Sequence, residues 1–369
     1  PTELNEDFLR RDFTINAIAI EIWPQYGKIW DPYKGLDDLK NNIIRTPNEP
    51  NITFSDDPLR MLRAIRFSSK LNFNIEKNTW QGIKANKNRI SIVAPERISE
   101  ELNKMLLLPI PSIAINLLDD TGLLDYILPE LTALKTIDTE QDFSHKDNFR
   151  HSLQVLDNVS QQLETLPNHP NNLWLRWAAL LHDIGKSKTK RFDDKTGFSF
   201  HNHEVVGAKM VPIIFKRLHL PLNEKMDYVV KLVLLHLRPI ALVDDIVTDS
   251  AIRRLIFEAG DDLDDLMILC ECDITSKNPY KVQKFKKNLK NLKQKFEEIE
   301  EKDRLRNFQP PINGELIMRT FDLKPSKLVG DIKTAIREAI IEGEIPNEYD
   351  AAYNFMLKYG KNLGLKPKE

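Results

Sequence analysis

Between Lys281 and Glu300 the chain reads KVQKFKKNLKNLKQKFEEIE, and Val282, Phe285, Leu289, Leu292, Phe296 and Ile299 recur at intervals of three and four. That period matches the turn of an α-helix and gathers the apolar side chains on one stripe. The same spacing places Leu59, Leu62, Ile65 and Phe67 on one face, and Leu102, Met105, Leu106 and Leu107 on another. It also predicts helices over Trp174–His182 and Tyr228–Leu237. A chain patterned in this way folds mainly as α-helix. Glycine, at 13 of 369 residues, is too scarce for Gly-rich β-architectures, and 41% apolar residues suffice for real cores. The length implies two or three domains.

Other classes are disfavoured. No run approaches eighteen apolar residues, so no membrane span is expected. The first residues show neither a basic-then-apolar start nor a small-residue cleavage site. Cys270 and Cys272 are too close for an ordinary disulfide framework and lack metal-finger spacing, so they are expected to pack in a core in a reducing cytoplasm. With a net charge of −2, an RNA partner would have to be held by local basic patches and not by the whole field. The lysines of 281–300 are either a solvated face or such a patch.

The pattern divides the chain into four. Residues 1–45 read as the remnant of an α/β head: a buried strand over Ile15–Ile22, a short segment Lys28–Asp31 and a Gly-containing turn at Gly35. Nothing precedes the strand to pair with it, so further N-terminal strands are expected. Residues 46–135 read as a helical neck, with Asp56 and Asp57 capping the helix that carries Leu59. A polar linker, 136–148, leads to a helical domain over 140–280, in which Phe192–Phe200 reads as a loop or hairpin around Gly197. Residues 281–369 read as a helical tail, with two helices after Pro311, from Ser326 and from Asn347.

Two constellations carry chemistry. In the first, Arg10 and Arg11 offer forked donors that suit a triphosphate. Asp57 and Arg60 stand at i and i+3 on one helical face. A carboxylate only accepts hydrogen bonds and a guanidinium only donates. Cytosine and adenine present an exocyclic amine beside an unprotonated ring nitrogen, so the pair would accept from one and donate to the other, while guanine and uracil present the reverse order. An N-cap with a local salt bridge is the other use of that spacing.

LRRDFTINAIAI (9–20), WDPYKGLDDL (30–39), SDDPLRMLRAIRF (55–67) and PERISEEL (95–102) resemble, in order and spacing, the motifs of class II tRNA nucleotidyltransferases and their bacterial poly(A) polymerase relatives. The resemblance implies a nucleotide site with Arg11 near the triphosphate, Asp12 and Asn16 in the pocket, Asp57 and Arg60 reading the base, and Arg63 and Arg66 close by. It implies Asp31 and Gly35 in a flexible hinge loop, and Glu96 and Arg97 buttressing the neck by an ion pair. In that family a Gly-Ser phosphate loop and an Asp-x-Asp pair bind Mg²⁺ for nucleotidyl transfer. Neither motif occurs before Phe13, so no catalytic residue for that transfer is expected in these residues.

The second constellation is His151, His182, Asp183, His203, His236 and Asp273, which include four of the eight histidines. Adjacent imidazole and carboxylate at a helix end, before Gly185, suit a divalent cation taking mixed N and O ligands. HSLQVLDNV (151–159), LLHDIGK (180–186), HNHEVVGA (201–208) and CDITSK (272–277) resemble an HD-domain phosphohydrolase. By that resemblance His151, His182, Asp183 and Asp273 would hold one metal, with His203 and His236 placed for a second metal or a phosphate. Lys186 would neutralise a phosphate or simply face solvent. His145 and His201 read as surface residues. Lys327 and Lys333 in the tail would touch the tRNA elbow or have no role.

The function expected is tRNA nucleotidyltransfer, adding CMP and AMP from CTP and ATP with Mg²⁺, beside a divalent-metal HD domain. The alternatives are a poly(A) polymerase, an HD phosphodiesterase or phosphatase with an RNA-binding neck, and a metal-stabilised RNA-binding scaffold.

Overall fold

The computed structural model describes residues 4–24, 26–135, 139–140, 143–144, 147–166, 168–193, 197–244, 248–275, 278–303 and 310–368. Two compact units divide the chain, Pro1–Leu234 and Leu235–Glu369. Helices dominate both. The strands among the described residues pair only two by two.

In the first unit, local chemistry sets where helices begin. Glu49 accepts from the Ile52 N–H at 3.2 Å and Pro50 occupies the first turn of Pro50–Asp56, where a missing N–H costs nothing. Glu76 caps Lys77–Asn86 and Asp147 caps Asn148–Glu164 in the same way. Asn72, at φ 56°, ends Leu59–Leu71. The helices bury one stripe each: Phe54, Met61, Leu62, Ile65, Ile83, Leu102 and Met105 are shut from solvent, as are Trp177 and Phe215. Arg176, on helix Asn172–Leu181, is buried and donates Nη1 to the Leu106 and Leu108 carbonyls at 2.6 and 2.7 Å. Those acceptors stand at the end of Pro95–Leu106, which no longer has intrahelical donors for them. Trp177 Nε1 adds a bond to Asn103 Oδ1 at 2.8 Å.

The head segment departs from expectation. Instead of a buried strand over Ile15–Ile22, Thr14–Asn16 is a short 3₁₀ turn and only Ala19–Ile20 is extended, paired antiparallel with Ile29–Trp30. Phe13 and Ala17 are buried, whereas Ile20 and Ile22 are exposed, so the apolar run does not mark one buried strand. Gly35 is not in a loop: it is the first residue of helix Gly35–Lys40, whose first N–H groups donate to both oxygens of Asp31 at 2.6 and 2.9 Å. A Cβ on Gly35 would lie 2.1 Å from the Thr14 carbonyl oxygen, which is why the position is glycine. Asp56 ends the preceding helix, and Asp57 alone serves the start of Leu59–Leu71, accepting from the Leu59 N–H at 3.2 Å.

Further along, the hairpin forms as Arg191–Asp193 paired with Gly197–Ser199. Most of the segment 136–148, His145 included, falls outside the described residues.

The second unit holds helices Asp249–Ala259, Leu263–Asp273, Pro279–Asp303, Gly314–Phe321, Lys327–Ile341 and Tyr349–Asn362. The long amphipathic helix buries Leu289, Leu292, Phe296 and Ile299, as its period predicts. Three helices, not two, follow Pro311: Asn313 caps Gly314–Phe321 by accepting from the Leu316 N–H at 2.8 Å. Lys327 and Lys333 are exposed.

Candidate nucleotide cleft and metal centre

Asp12 anchors the first site. It is 8% exposed, and a buried carboxylate must be hydrogen-bonded or paired. Its Oδ1 accepts from the Phe13 N–H at 2.9 Å and from Asn16 Nδ2 at 3.0 Å. Its Oδ2 accepts from Arg63 Nε and Nη2 at 2.8 and 2.6 Å. Arg11 pairs with Asp7 and donates Nη1 to the Asn16 carbonyl at 3.1 Å.

Around this anchor Arg11, Asp12, Asn16, Asp57, Leu59, Arg60, Arg63, Phe67 and Arg97 line an open cleft of about 590 Å³. Four guanidiniums against two carboxylates make it a place for a polyanion. Asp57 and Arg60 both reach it but do not pair with each other. Arg97 grips the Asp57 carboxylate with Nη2 on Oδ2 at 2.9 Å and Nη1 on Oδ1 at 3.4 Å. Arg60 donates Nη2 to the Arg10 carbonyl at 2.6 Å and Nη1 to the Thr53 carbonyl at 3.4 Å.

Two expectations need correction. Arg66 does not line the cleft: its Nε bonds the buried Glu101 at 2.5 Å and its guanidinium covers the Phe67 ring at 4.3 Å, so it serves the neck core. Glu96 and Arg97 do buttress the neck, but through separate partners. Arg97 holds Asp57, and Glu96 accepts from His219 Nδ1 at 2.6 Å. The Glu96 carboxyl sits below its usual range because its own backbone N–H and His219 both favour the ionised form. The role of Arg97 at the cleft escaped the sequence because it lies 40 positions from Asp57 and only folding joins them.

The second site gathers at the end of helix Asn172–Leu181. Asp183 is 2% exposed. His151 Nε2 and His182 Nε2 lie 3.5 and 3.3 Å from its Oδ2, and His203 Nε2 lies 3.2 Å from its Oδ1. Lys186 Nζ donates to Oδ2 at 2.6 Å. Burial alone would raise the Asp183 carboxyl; the charges and hydrogen bonds of His182, His203 and Lys186 outweigh it and hold it well below the ordinary range.

The far nitrogens of two rings are fixed. His182 Nδ1 lies 2.8 Å from the Ala179 carbonyl oxygen, and His203 Nδ1 lies 2.8 Å from that of Phe200. A carbonyl can only accept, so each Nδ1 carries a proton. Protonated on Nε2 as well, each ring donates to the Asp183 carboxylate, as the lowered carboxyl requires; a divalent cation would displace that proton and take the Nε2 lone pair. Imidazole nitrogens converging on a buried carboxylate form a donor set that fits a divalent cation. The ligating atoms of His151 and His182 lie within 4.8 Å of each other, as do those of Asp183 and His203. Gly185 keeps the centre compact: a Cβ there would meet the His203 carbonyl oxygen at 2.1 Å and the Gly207 nitrogen at 2.6 Å.

His236 and Asp273 belong to the second unit. His236 is buried just after helix Glu224–Leu235, and its carbonyl accepts from Cys270 Sγ at 2.9 Å. Asp273 closes helix Leu263–Asp273, on which both cysteines are buried and reduced. His201 is exposed. Among the described residues no helix is long and apolar enough to cross a membrane.

Residues 1–45 match the family described as "Poly A polymerase head domain". Residues 72–135 match "Probable RNA and SrmB- binding site of polymerase A", and residues 148–276 match "HD domain". The A-adding tRNA nucleotidyltransferase of Deinococcus radiodurans is 33% identical over 362 residues, covering 95% of this chain and 78% of that protein. The multifunctional CCA protein of Vibrio parahaemolyticus is 31% identical, covering 73% of this chain; the chain spans only 64% of that relative. Among solved structures, the Bacillus stearothermophilus CCA-adding enzyme in complex with CTP is similar in fold. Its TM-score is 0.65 at 23% identity, over 99% of this chain and 76% of that one. With matches to the head, neck and HD families in order along the chain, and with a relative 33% identical over 95% of this chain, the chain belongs to the class II tRNA nucleotidyltransferase and poly(A) polymerase family of nucleotidyltransferases.

Proposed function

We propose that the protein extends the 3′ end of tRNA with CMP and AMP from CTP and ATP, in the cytoplasm, and that its HD domain is a divalent-metal phosphohydrolase. The observation that carries the first part is the sharing of one open, cationic cleft by Asp57, Arg60, Arg11 and Arg63. Asp57 accepts from the exocyclic amine of cytosine or adenine and Arg60 donates to the ring nitrogen beside it. Arg97 holds the carboxylate, and Arg11 and Arg63 face the triphosphate. Asp12 and Asn16 keep Arg63 and Arg11 in place. These residues select and hold the nucleotide.

Incubation of the whole enzyme with tRNA ending at the discriminator base tests this reading. Addition of two C residues from CTP alone, followed by one A from ATP, supports it. Addition of long A tails identifies a poly(A) polymerase. A second outcome has a specific basis: the relative matched over 95% of the chain is an A-adding enzyme. Extension only of tRNA already ending in CC would select that narrower activity.

In the HD domain, His151, His182 and Asp183 would hold a divalent ion, with Asp273 as a further ligand by its position in the HD motif order. Bound there, the ion would lower the pKa of a water and polarise a phosphoryl group. His203 and His236 would serve a second ion or a phosphate, and Lys186 the phosphate charge. Calorimetric titration with Mn²⁺ should show binding that His182→Ala removes. Release of phosphate or ring opening from a nucleoside 2′,3′-cyclic phosphate, lost in the same variant, would establish hydrolysis. Metal binding and chelator-sensitive stability without turnover would leave a scaffold.

A further inference from the structure

The segment between Lys186 and Asn202 leaves the metal centre and returns to it. At its start Lys186 donates to Asp183 at 2.6 Å. At its end the Phe200 carbonyl accepts from His203 Nδ1 at 2.8 Å. Gly185 closes the base against the His203 and Gly207 backbones, at a distance no side chain would permit. Between these roots, Arg191–Asp193 and Gly197–Ser199 pair antiparallel with Phe192 opposite Phe198. Directly opposed residues share one face of a hairpin. The two rings lie 5.0 Å apart and are half-buried.

Cations accompany the rings. Lys190 Nζ stands 4.7 Å from the Phe198 ring centre, and burial lowers the pKa of that amine. Lys186 Nζ stands 5.8 Å from the Phe200 ring centre. Lys188 and Arg191 are exposed on the same excursion. Aromatic faces interleaved with cations, rooted beside a buried carboxylate and its histidines, are what a base linked to a phosphate requires.

We propose that this hairpin is the base-binding arm of the HD site, so that its ligand is a nucleoside phosphate with the base against Phe192 and Phe198 and the phosphate toward Lys186. The proposal rests on the reading of the HD domain as a phosphoester site. Stacking is tolerant, because every base has a π face. The arm therefore separates nucleotides from sugar phosphates without separating one base from another.

Calorimetry on the Mn²⁺-loaded full chain tests it, in an Arg60→Ala background so that the nucleotide cleft contributes little. The probes are cytidine 3′-phosphate, adenosine 3′-phosphate and glycerol phosphate. Both nucleotides should bind about tenfold or more tighter than glycerol phosphate, the gain expected of one stacked base. Phe198→Leu keeps apolar mass against Phe192 and removes the ring. It should bring the nucleotides close to glycerol phosphate while leaving glycerol phosphate itself unchanged. Phe192→Leu should act in the same direction, and unchanged melting curves would confirm that either hairpin still folds. Equal binding of nucleotides and glycerol phosphate by the parent, or an equal loss for all three probes in Phe198→Leu, would overturn the arm alone. Failure of every phosphate to bind would overturn the phosphoester reading and the arm with it.

Discussion

Arg63 closes on Asp12 with two nitrogens on one carboxylate oxygen, Nε at 2.8 Å and Nη2 at 2.6 Å. The pair joins the head segment to helix Leu59–Leu71 and sets one wall of the cleft. Replacing Arg63 by Ala leaves a buried carboxylate short of its cation. Because Arg63 is about a third exposed, the expected loss of stability is about 1–3 kcal/mol, less than for a fully buried pair. Urea unfolding measures it. Lysine should rescue poorly, since an ammonium cannot repeat the two-nitrogen grip. An unchanged midpoint in Arg63→Ala would mean that the contact stabilises nothing.

In the same cleft, Asp57 is held by Arg97 and does not need Arg60 to satisfy it. Asp57→Ala should lower the preference for CTP and ATP over UTP and GTP by about ten- to a hundredfold, the range lost when a paired polar contact to a base is removed. Arg97→Ala should act in the same direction but more weakly, because the carboxylate remains while its orientation does not. Single-turnover incorporation of each nucleotide reads both effects. Retention of full selectivity in Asp57→Ala would sink the base-reading role.

Gly185→Ala should be disruptive although the residue has an ordinary φ of −68°. The added methyl carbon would have to occupy space held by the His203 carbonyl, only 2.1 Å away. A loss of at least ~2 kcal/mol is expected, with weakened Mn²⁺ binding, because His203 must move. Thermal melts with and without Mn²⁺ separate the two consequences.

The two thiols should be inert in the folded protein. Burial pushes the Cys272 thiol up to about 12, with Glu271 adding to the effect, and burial drives Cys270 well above its ordinary value. A disulfide reagent at neutral pH should titrate neither thiol natively and both after denaturation. Rapid native reaction would place the Leu263–Asp273 helix in a more open environment than described.

Asp157 supplies a pH dependence with a definite sign. Burial raises its carboxyl, outweighing the hydrogen bond from the Ser112 N–H at 3.0 Å. The folded chain therefore binds the proton more readily than the unfolded chain. The unfavourable contribution is complete above the raised folded value and vanishes below the ordinary unfolded one. Asp157→Asn keeps an acceptor for Ser112 and should melt slightly higher than the parent near neutral pH. That advantage should disappear as the pH falls to the ordinary carboxylate range.

Much of this protein is written in local pattern. The three- and four-residue spacing of Leu289, Leu292, Phe296 and Ile299 is enough to place a helix and its buried stripe, because helix geometry repeats every 3.6 residues whatever lies elsewhere. The i, i+3 placement of Asp57 and Arg60, and the adjacency of His182 and Asp183, are legible for the same reason. Periodicity misled where an apolar run did not mean burial: Ile20 and Ile22 look like an interior strand and lie exposed. The short helix Gly314–Phe321 shows too little period in its eight residues to be legible, although Asn313 marks its start. What no local pattern contains is the partnership of distant groups. Arg63 with Asp12, Arg97 with Asp57 and His203 with Asp183 are separated by 51, 40 and 20 positions. Sequence determined which side chains can accept, donate or ligate. Tertiary structure decided which of them share a carboxylate, because burying a charge forces it to find a partner wherever the packed helices bring one.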